Sequence, residues 1–341
     1  MTIMIQDIFL IKNLFCTILL NKKIPISVNY AITYKCNQNC DYCGIYEKNS
    51  LKKSDFESEM NSSQIFSMID QLKNMGMVRL GITGGESLLR EDLGDVIRYS
   101  KNKGVMTTLV SNGYLVPKKI KGISDLDILF LSLDGKEFFN DKHRGKGSFK
   151  KVVKALQVAK KYGIRTVILS SLKKGSDNNI DFLVDFAEKN NTYVAFQILS
   201  YPHLTTKQRN GLIPSKEEHK NIIKRIIETK KKSKVIINSS ASLNYLLNEW
   251  PEHKNLKCWG GRAFCTIDPW GYVFPCYIKQ KIDGPLNGIE VGFKKAFENI
   301  PKFECDRCNC YSHIENNLML SLNLDSIFAA KHFLDLKNKL L

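Results

Sequence analysis

Three cysteines near the start of the chain have a spacing that suits metal binding. The segment YKCNQNCDYCG contains Cys36, Cys40 and Cys43 in a C-x3-C-x2-C array that follows an apolar run. Cysteine thiolates bind zinc and the irons of iron–sulfur clusters, and a closed site of either kind normally takes a fourth protein ligand. The spacing therefore predicts a metal centre with one open position, for which zinc and an iron–sulfur cluster are alternatives.

A second group of cysteines lies towards the other end of the chain. It comprises Cys258, Cys265, Cys276, Cys305, Cys308 and Cys310. So many thiols in one stretch indicate a second metal site rather than buried free cysteines. Zinc would accept two separated pairs, so the residue types alone do not choose the metal. Within the stretch, DPWGYVFPC predicts a β-hairpin with a Pro-Trp-Gly turn.

The composition is that of an ordinary globular protein. Of the 341 residues, 43% are hydrophobic and 25% are charged, and the formal net charge is +17. A positive charge suits an anionic partner such as nucleic acid or a membrane surface. Lysine is spread along helix-like segments, however, which favours solvated helix faces and makes nucleic acid an unfavoured partner.

The N-terminal segment IFLIKNLFCTILL, residues 8–20, is too short to span a bilayer, and no small-residue cleavage site follows it. Its apolar residues recur at three-to-four-residue spacing, which predicts an amphipathic helix. We expect this helix to pack against the protein's own core, with peripheral membrane contact as the alternative. The sequence thus predicts a cytoplasmic protein, in whose reducing compartment clustered cysteines bind metal more often than they form disulfides.

Short apolar segments alternate with helix-like segments from about residue 27 to 235. The predicted strands are 27–33, 78–83, 106–111, 127–134, 165–172 and 193–200. The predicted helices are 62–75, 91–103, 148–162, 179–190 and 215–232. This alternation predicts an α/β fold of parallel βαβ units that curl into a barrel or an open sheet.

Four motifs follow the first four predicted strands. The cysteine array follows the first strand, TGGES (83–87) the second, SNGY (111–114) the third and LDG (133–135) the fourth. Folds of this kind carry their chemistry at the carboxyl ends of the strands. We therefore expect all four motifs to face one mouth of the barrel.

Taken together, these motifs resemble those of the radical S-adenosylmethionine (SAM) enzymes. CNQNCDYC, GITGGESLLR, TLVSNGYL, LSLDG and DKHRGKGSF occur in that family's order and spacing, from about residue 27 to 200. The resemblance implies a partial (β/α)6 TIM-like barrel and makes the first array an iron–sulfur site. One departure is Ser87, where the family often has proline after the glutamate.

The resemblance also implies the cofactors. Cys36, Cys40 and Cys43 would hold three irons of a [4Fe-4S] cluster, and SAM would chelate the fourth iron through its amino and carboxylate groups. One electron from the cluster, supplied by a donor such as flavodoxin or ferredoxin, would cleave SAM to a 5'-deoxyadenosyl radical. The residues matched to SAM contacts are Tyr42, Gly84, Gly85, Glu86, Ser111, Asn112, Ser132, Asp134 and Arg144.

Several of these contacts have a specific expected role. Gly84 and Gly85 would let the backbone approach the cofactor, and Glu86 would meet the methionine ammonium. Arg144 is a cation suited to the SAM carboxylate, and Tyr42 is placed to stack on adenine.

The C-terminal cysteines resemble the auxiliary-cluster domains, of the SPASM type or the shorter twitch type, that follow many radical SAM cores. The resemblance implies a second [4Fe-4S] cluster. Its implied ligands are Cys258, Cys276, Cys305 and Cys308. Cys310 is an alternative to Cys308, and Cys265 is surplus. Because no cysteine follows Cys310, the one-cluster twitch form is favoured.

The expected organisation is a lead-in over residues 1–25, a radical SAM core over 26–235 and a small α+β auxiliary-cluster domain over 236–341. The expected function is that of an oxidoreductase or maturase that abstracts hydrogen from a small molecule or a peptide, with the auxiliary cluster as electron acceptor. One alternative is radical SAM modification of a lipid or glycan intermediate at the membrane surface. Another is a non-catalytic, metal-stabilised protein that binds nucleic acid through its basic surface.

Overall fold

The structure, a computed structural model, describes most of the chain. The described residues are 12–44, 58–199, 211–249, 256–277, 284–301, 303, 305, 308 and 310–335. The predicted helix over 8–20 and the predicted strand over 193–200 each lie partly outside these ranges.

The six strands expected from the sequence form one curved parallel sheet. They are β1 (Ser27–Thr33), β2 (Arg79–Gly84), β3 (Met106–Ser111), β4 (Ile128–Ser132), β5 (Arg165–Leu172) and β6 (Tyr193–Ile198). Each pairs in parallel with the next, from β1 to β6. The predicted α/β fold is confirmed.

Helices connect these strands and continue beyond them. In the first part of the chain they are α1 (12–18), α2 (Ser62–Asn74), α3 (Leu93–Asn102), α4 (Val116–Lys119), α5 (Glu137–Arg144), α6 (Ser148–Lys161) and α7 (Ile180–Lys189). They are followed by α8 (Lys216–Lys232), α9 (Ser240–Glu249), α10 (Gly288–Val291), α11 (Phe293–Glu298), α12 (Tyr311–Leu320) and α13 (Leu324–Asp335).

One face of the sheet packs against these helices. Alternate strand residues such as Val28, Leu80 and Leu129 point towards this face and are fully buried. They share one hydrophobic core with Ile69 of α2 and Leu156 of α6. Burying a side chain of this size contributes about 1.5–3 kcal/mol, so this outer layer fixes the positions of the strand ends.

The other face lines the interior of the curved sheet and has two different halves. Phe130, Val167 and Ala195, on β4 to β6, belong to a small apolar cluster. The facing positions on β1 and β2 are polar, and the Arg79 guanidinium donates to Asn29 Oδ1 at 3.3 Å. The interior of the barrel therefore offers an apolar wall opposite a polar one.

The predicted hairpin is present and joins the same sheet. Strands β7 (Phe264–Ile267) and β8 (Val273–Phe274) are antiparallel. Strand β7 also pairs in parallel with β1, which makes an eight-stranded sheet. The predicted boundary between residues 235 and 236 falls between α8 and α9, and beyond it the chain remains joined to the barrel through β7.

Helix α1 lies against the C-terminal part of the chain. Its Leu14 and Ile18 pack with Met319 and Leu320 of α12, as expected for a helix resting on the protein's own core. Among the helices in the described ranges, none is both long and apolar enough to cross a membrane.

Candidate functional site

The first three cysteines lie in the loop that follows β1. The Cys43 N–H donates to the Cys40 carbonyl at 3.1 Å, and the Gln38 N–H donates to Cys36 Sγ at 3.4 Å. Burial raises the pKa of Cys40 to about 11, and the Cys43 and Cys36 thiols act in the same direction. The loop therefore gathers the three thiols at the carboxyl end of β1.

The GGE segment packs directly on this cysteine loop. A Cβ on Gly84 would lie 2.1 Å from the Thr33 carbonyl oxygen, and one on Gly85 would lie 2.2 Å from that of Lys35. Gly84 also has φ +132°, a conformation that favours glycine. The Gly85 and Glu86 N–H groups donate to the Thr33 and Lys35 carbonyls at 2.8 Å each. Both glycines are thus required where two backbone segments touch, a reason that the sequence alone did not reveal.

Glu86 is fully buried and connects the ends of β2 and β3. Its carboxylate accepts hydrogen bonds from Ser111 Oγ at 3.0 Å, the Asn112 N–H at 2.8 Å and the Leu88 N–H at 3.2 Å. Burial raises the pKa of Glu86, and these donors oppose the rise. An ionised carboxylate can accept about four hydrogen bonds, so one acceptor position remains for a further donor.

The residue that follows β3 is also hydrogen bonded to the cysteine loop. Asn112 Nδ2 donates to Asn37 Oδ1 at 2.7 Å, and Asn37 follows Cys36 directly. Burial raises the pKa of Cys36, and the Glu86 carboxylate raises it further. The structure therefore brings the motifs of the first three strands together, as expected.

Asp134 is the centre of a buried ionic network after β4, defined here as Tyr42, Asp134, Arg144 and Lys173. Arg144 donates to both Asp134 oxygens at 2.9 Å, and Lys173 Nζ and Tyr42 Oη donate to Oδ2 at 2.8 and 2.7 Å. Asp134 is fully buried, and the two cations hold the pKa of its carboxyl well below the usual range. Ser132, at the end of β4, lies two residues before this carboxylate.

Lys173 is a member of this network that the sequence analysis missed. It is fully buried just after β5, and its Nζ lies 4.3 Å from the centroid of the Tyr42 ring. The Arg144 guanidinium lies 5.4 Å from the same ring. The available signal was a lysine directly after a predicted strand, at the same barrel edge as the LDG motif. Tyr42, predicted to stack on adenine, here packs between two cations.

The C-terminal cysteines also converge. Cys258 Sγ accepts the Gly260 N–H at 3.4 Å and interacts with the Cys305 thiol, which raises the pKa of Cys258. Burial raises the pKa of Cys308, and the nearby thiols of Cys310, Cys276 and Cys305 raise it further. The described structure therefore assembles five thiols from three separated segments.

Two other residues clarify this second site. Cys265 is fully buried within β7, and burial alone raises the pKa of its thiol well above the usual range. It belongs to the main hydrophobic core. His313 on α12, which the sequence analysis did not select, lies beside Cys310 and Cys276. Burial lowers the pKa of its imidazole, but these two cysteines outweigh burial and raise the pKa to about 10. The second site therefore contains an imidazole as well as thiols.

Both cysteine groups have the donor chemistry of iron–sulfur sites. In the described part of the chain, no group of three or more His, Cys, Asp or Glu side chains is arranged to hold a single metal ion. The thiolates of a [4Fe-4S] cluster lie farther apart than the ligands of one ion because each binds a different iron. The gathered thiols of both groups are donors of the kind that a [4Fe-4S] cluster binds.

The sequence of this chain is similar to those of known proteins. Residues 30–187 match the Radical SAM superfamily. The Fe-coproporphyrin III synthase of Methanosarcina barkeri is 29% identical over 216 residues, which are 62% of this chain and 52% of that protein. This chain thus spans about half the length of that curated relative.

Solved structures share the fold. Streptococcus suis SuiB bound to S-adenosylmethionine superposes with a TM-score of 0.67 at 15% identity, covering 82% of this chain and 67% of SuiB. The anSMEcpe protein with bound AdoMet gives 0.64 at 16% identity, covering 90% and 99% of the two chains. SuiB has also been solved with the precursor peptide SuiA, and anSMEcpe with the Cp18Cys peptide. These likenesses support the partial-barrel fold.

Proposed function

We propose that this chain, whose residues 30–187 match the Radical SAM superfamily, is an enzyme that cleaves SAM reductively and abstracts hydrogen from a small-molecule or peptide substrate. A radical SAM domain binds a [4Fe-4S] cluster and SAM, and the bound pair supplies a 5'-deoxyadenosyl radical. The observation that carries the proposal is the direct packing of the GGE segment on the cysteine loop, which puts Glu86 beside Cys36.

Different residues of the first site would hold the cluster and SAM. Cys36, Cys40 and Cys43 would hold three irons and leave the fourth without a protein ligand. Glu86 would use its remaining acceptor position for the methionine ammonium. The Ser111 hydroxyl and the Asn112 N–H donate to that carboxylate and hold it in place.

The buried ionic network would bind the opposite charge. Its two basic side chains, Arg144 and Lys173, share the single carboxylate of Asp134. This excess of basic groups suits a further anionic group, and the SAM carboxylate is the matching one. Tyr42, held by Asp134 and by both cations, would close this side of the cofactor pocket against water.

The second site would hold an auxiliary [4Fe-4S] cluster. Cys258, Cys276 and Cys305 would each bind one iron, and Cys308 or Cys310 would bind the fourth. Complete ligation by cysteine leaves no iron open to substrate, which favours electron acceptance over substrate coordination. Residues 236–341 would then form the auxiliary-cluster region, and a flavodoxin or ferredoxin would supply electrons to the first cluster.

The test uses anaerobically reconstituted full-length protein. We expect about eight irons per chain and 5'-deoxyadenosine formation with SAM and dithionite. The variant with Cys36, Cys40 and Cys43 changed to Ala should lose about half of that iron. Cys16→Ala, a change of the same type at a half-buried cysteine on α1, serves as the control. Deoxyadenosine formed equally by the triple variant would refute the proposal.

A second candidate is modification of a lipid or glycan intermediate at the membrane surface. The supporting observation is the exposure of Phe15 and Leu19, which are 54% and 63% accessible on and beside α1. Co-sedimentation with anionic liposomes, lost when both are changed to Ser, would support it. Equal sedimentation of the variant and the parent protein would leave the first proposal alone.

A further inference from the structure

A cavity of about 150 Å³ lies inside the barrel, away from the cysteine loop. The first residues of β1 and β2, Ser27 and Arg79, line the cavity on one side. Phe130 of β4 also lines it. Tyr311 and Glu315 of α12 close it from the C-terminal part of the chain. The cavity therefore lies where the polar and apolar halves of the interior meet.

Arg79 gives this cavity a cation whose hydrogen-bond partners are all neutral. Its guanidinium donates to Ser27 Oγ at 3.0 Å, Asn29 Oδ1 at 3.3 Å and Thr108 Oγ1 at 2.9 Å, all of them neutral oxygens. Over the described ranges, no carboxylate lies within ion-pairing distance of it. Burial lowers the pKa of Arg79 to about 10, so the side chain still carries its charge at neutral pH.

Gly81 on β2 makes room for this arrangement. A Cβ at that position would lie 2.8 Å from Arg79 Nη2 and 2.6 Å from Asn29 Oδ1. The guanidinium therefore occupies the space above a strand position that lacks a side chain. This close approach holds the cation on the interior face of the sheet, over the cavity.

The wall of the cavity also contains one unsatisfied polar atom, on Glu315. Glu315 Oε1 accepts from the Ser239 N–H at 2.7 Å and from Ser242 Oγ at 2.6 Å. Glu315 Oε2 is buried and has no hydrogen-bond partner among the described residues. Burial raises the pKa of Glu315, which favours its protonated form, and a protonated carboxyl can donate a hydrogen bond to an anionic occupant.

The rest of the wall is apolar. Ile26, Val78 and Ile237 line it beside Phe130, and Met319 lines it from α12. A cavity of about 150 Å³ with apolar walls is large enough for benzene. The space therefore suits one ring or a short branched chain that carries a charged group at one end.

We infer that this cavity binds an apolar compound through a carboxylate that pairs with the Arg79 guanidinium. The inference rests on the proposed function, because it names the chemical class of the substrate, or of the substrate group, that enters the barrel. A carboxylate would replace neutral partners by a charge-assisted, bidentate hydrogen bond. The apolar body would lie against Phe130 and Ile237.

Calorimetry with two matched probes tests this on the anaerobic, cluster-reconstituted full chain. Benzoate and benzamide have the same ring and nearly the same shape, and they differ in charge. We expect benzoate to bind about tenfold or more tightly than benzamide, because only benzoate pairs with the guanidinium. Equal binding of the two probes would overturn the inference.

Variants assign the preference to one side chain. Arg79→Gln should bind the two probes equally, and Arg79→Lys should retain part of the preference for benzoate. The control is Arg98→Gln, the same change at an exposed residue of α3, which should keep the full preference. A full preference in Arg79→Gln would overturn the inference.

The result of the benzoate test can be distinguished from the result of the test of the proposed function. If the protein forms deoxyadenosine but does not bind benzoate, the cavity inference fails and the proposed function stands. If it binds benzoate through Arg79 but does not cleave SAM, the binding site stands and the proposed function fails.

Discussion

The two cysteine sites are assembled in opposite ways. The first takes its three thiols from a single loop after β1, and buried ionisable groups of neighbouring strand ends lie beside it. The second collects five thiols and His313 from three separated segments. The first site therefore has fewer thiols than the four that a [4Fe-4S] cluster can bind, and it has charged groups beside it that suit a partner molecule. The second site has more thiols than a cluster needs. We therefore propose open coordination at the first site and closed coordination at the second.

The largest expected effect comes from removing the open site. Changing Cys36, Cys40 and Cys43 to Ala should abolish deoxyadenosine formation and leave the auxiliary iron in place, because these three thiols are the proposed ligands of the first cluster alone. Iron analysis and product assay after anaerobic reconstitution measure both quantities. If the remaining iron also supported SAM cleavage, the two sites would not differ in the way proposed.

Removing the closed site should have the complementary effect. Changing Cys258 and Cys276 to Ser should lose about half the iron while SAM cleavage continues, because neither residue belongs to the cysteine loop. Cys265→Ser, a change of the same type in the hydrophobic core, should retain all the iron and cost stability instead. Loss of iron in the Cys265 variant would mean that the closed site extends into β7.

These expectations also show how much of the molecule the sequence could predict. The strand bounds and the positions of the cysteine, GGE, SNGY and LDG motifs followed from local periodicity, because parallel strands place their carboxyl ends together. Lys173 could not be assigned, since its partner Asp134 is 39 residues away and no local pattern pairs them. The same holds for His313, which meets Cys276 only after β7 has paired with β1.

The interior of the barrel was equally inaccessible to sequence analysis. In the sequence, Arg79 is an ordinary charged residue near the start of a predicted strand, and Gly81 is a residue that weakens the strand prediction. Only the register of β1, β2 and β3 shows that Asn29, Gly81 and Thr108 are neighbours across the sheet. The glycine then becomes the space into which the guanidinium folds.

The ionic network beside the open site gives the next largest effect. Asp134→Asn should destabilise the protein by about 3–5 kcal/mol, because it leaves two buried cations without their carboxylate. Lys173→Met should cost less, about 1–3 kcal/mol, because Arg144 still pairs with both Asp134 oxygens. Urea unfolding of the reconstituted proteins measures both losses.

A surface pair provides the control for this network. Asp125 accepts from Lys101 at 2.8 Å on an exposed surface, and Asp125→Asn should cost less than about 1 kcal/mol. If Asp134→Asn were no more costly than Asp125→Asn, the buried network would not be the element that organises this side of the open site.

Glu86→Gln is the smallest and most selective change. The amide keeps the size of the side chain but replaces one acceptor oxygen by a donor, which would face the Asn112 N–H or the Ser111 hydroxyl. We expect iron content to be unchanged, because Glu86 is not a cluster ligand. SAM binding, measured by calorimetry, should weaken by about tenfold or more through loss of the charge-assisted bond to the methionine ammonium. Glu137→Gln, the same change at an exposed position of α5, should leave SAM affinity unchanged. Unchanged affinity in Glu86→Gln would mean that this carboxylate only ties strand ends together, and the open site would then bind SAM through the iron and the Asp134 network alone.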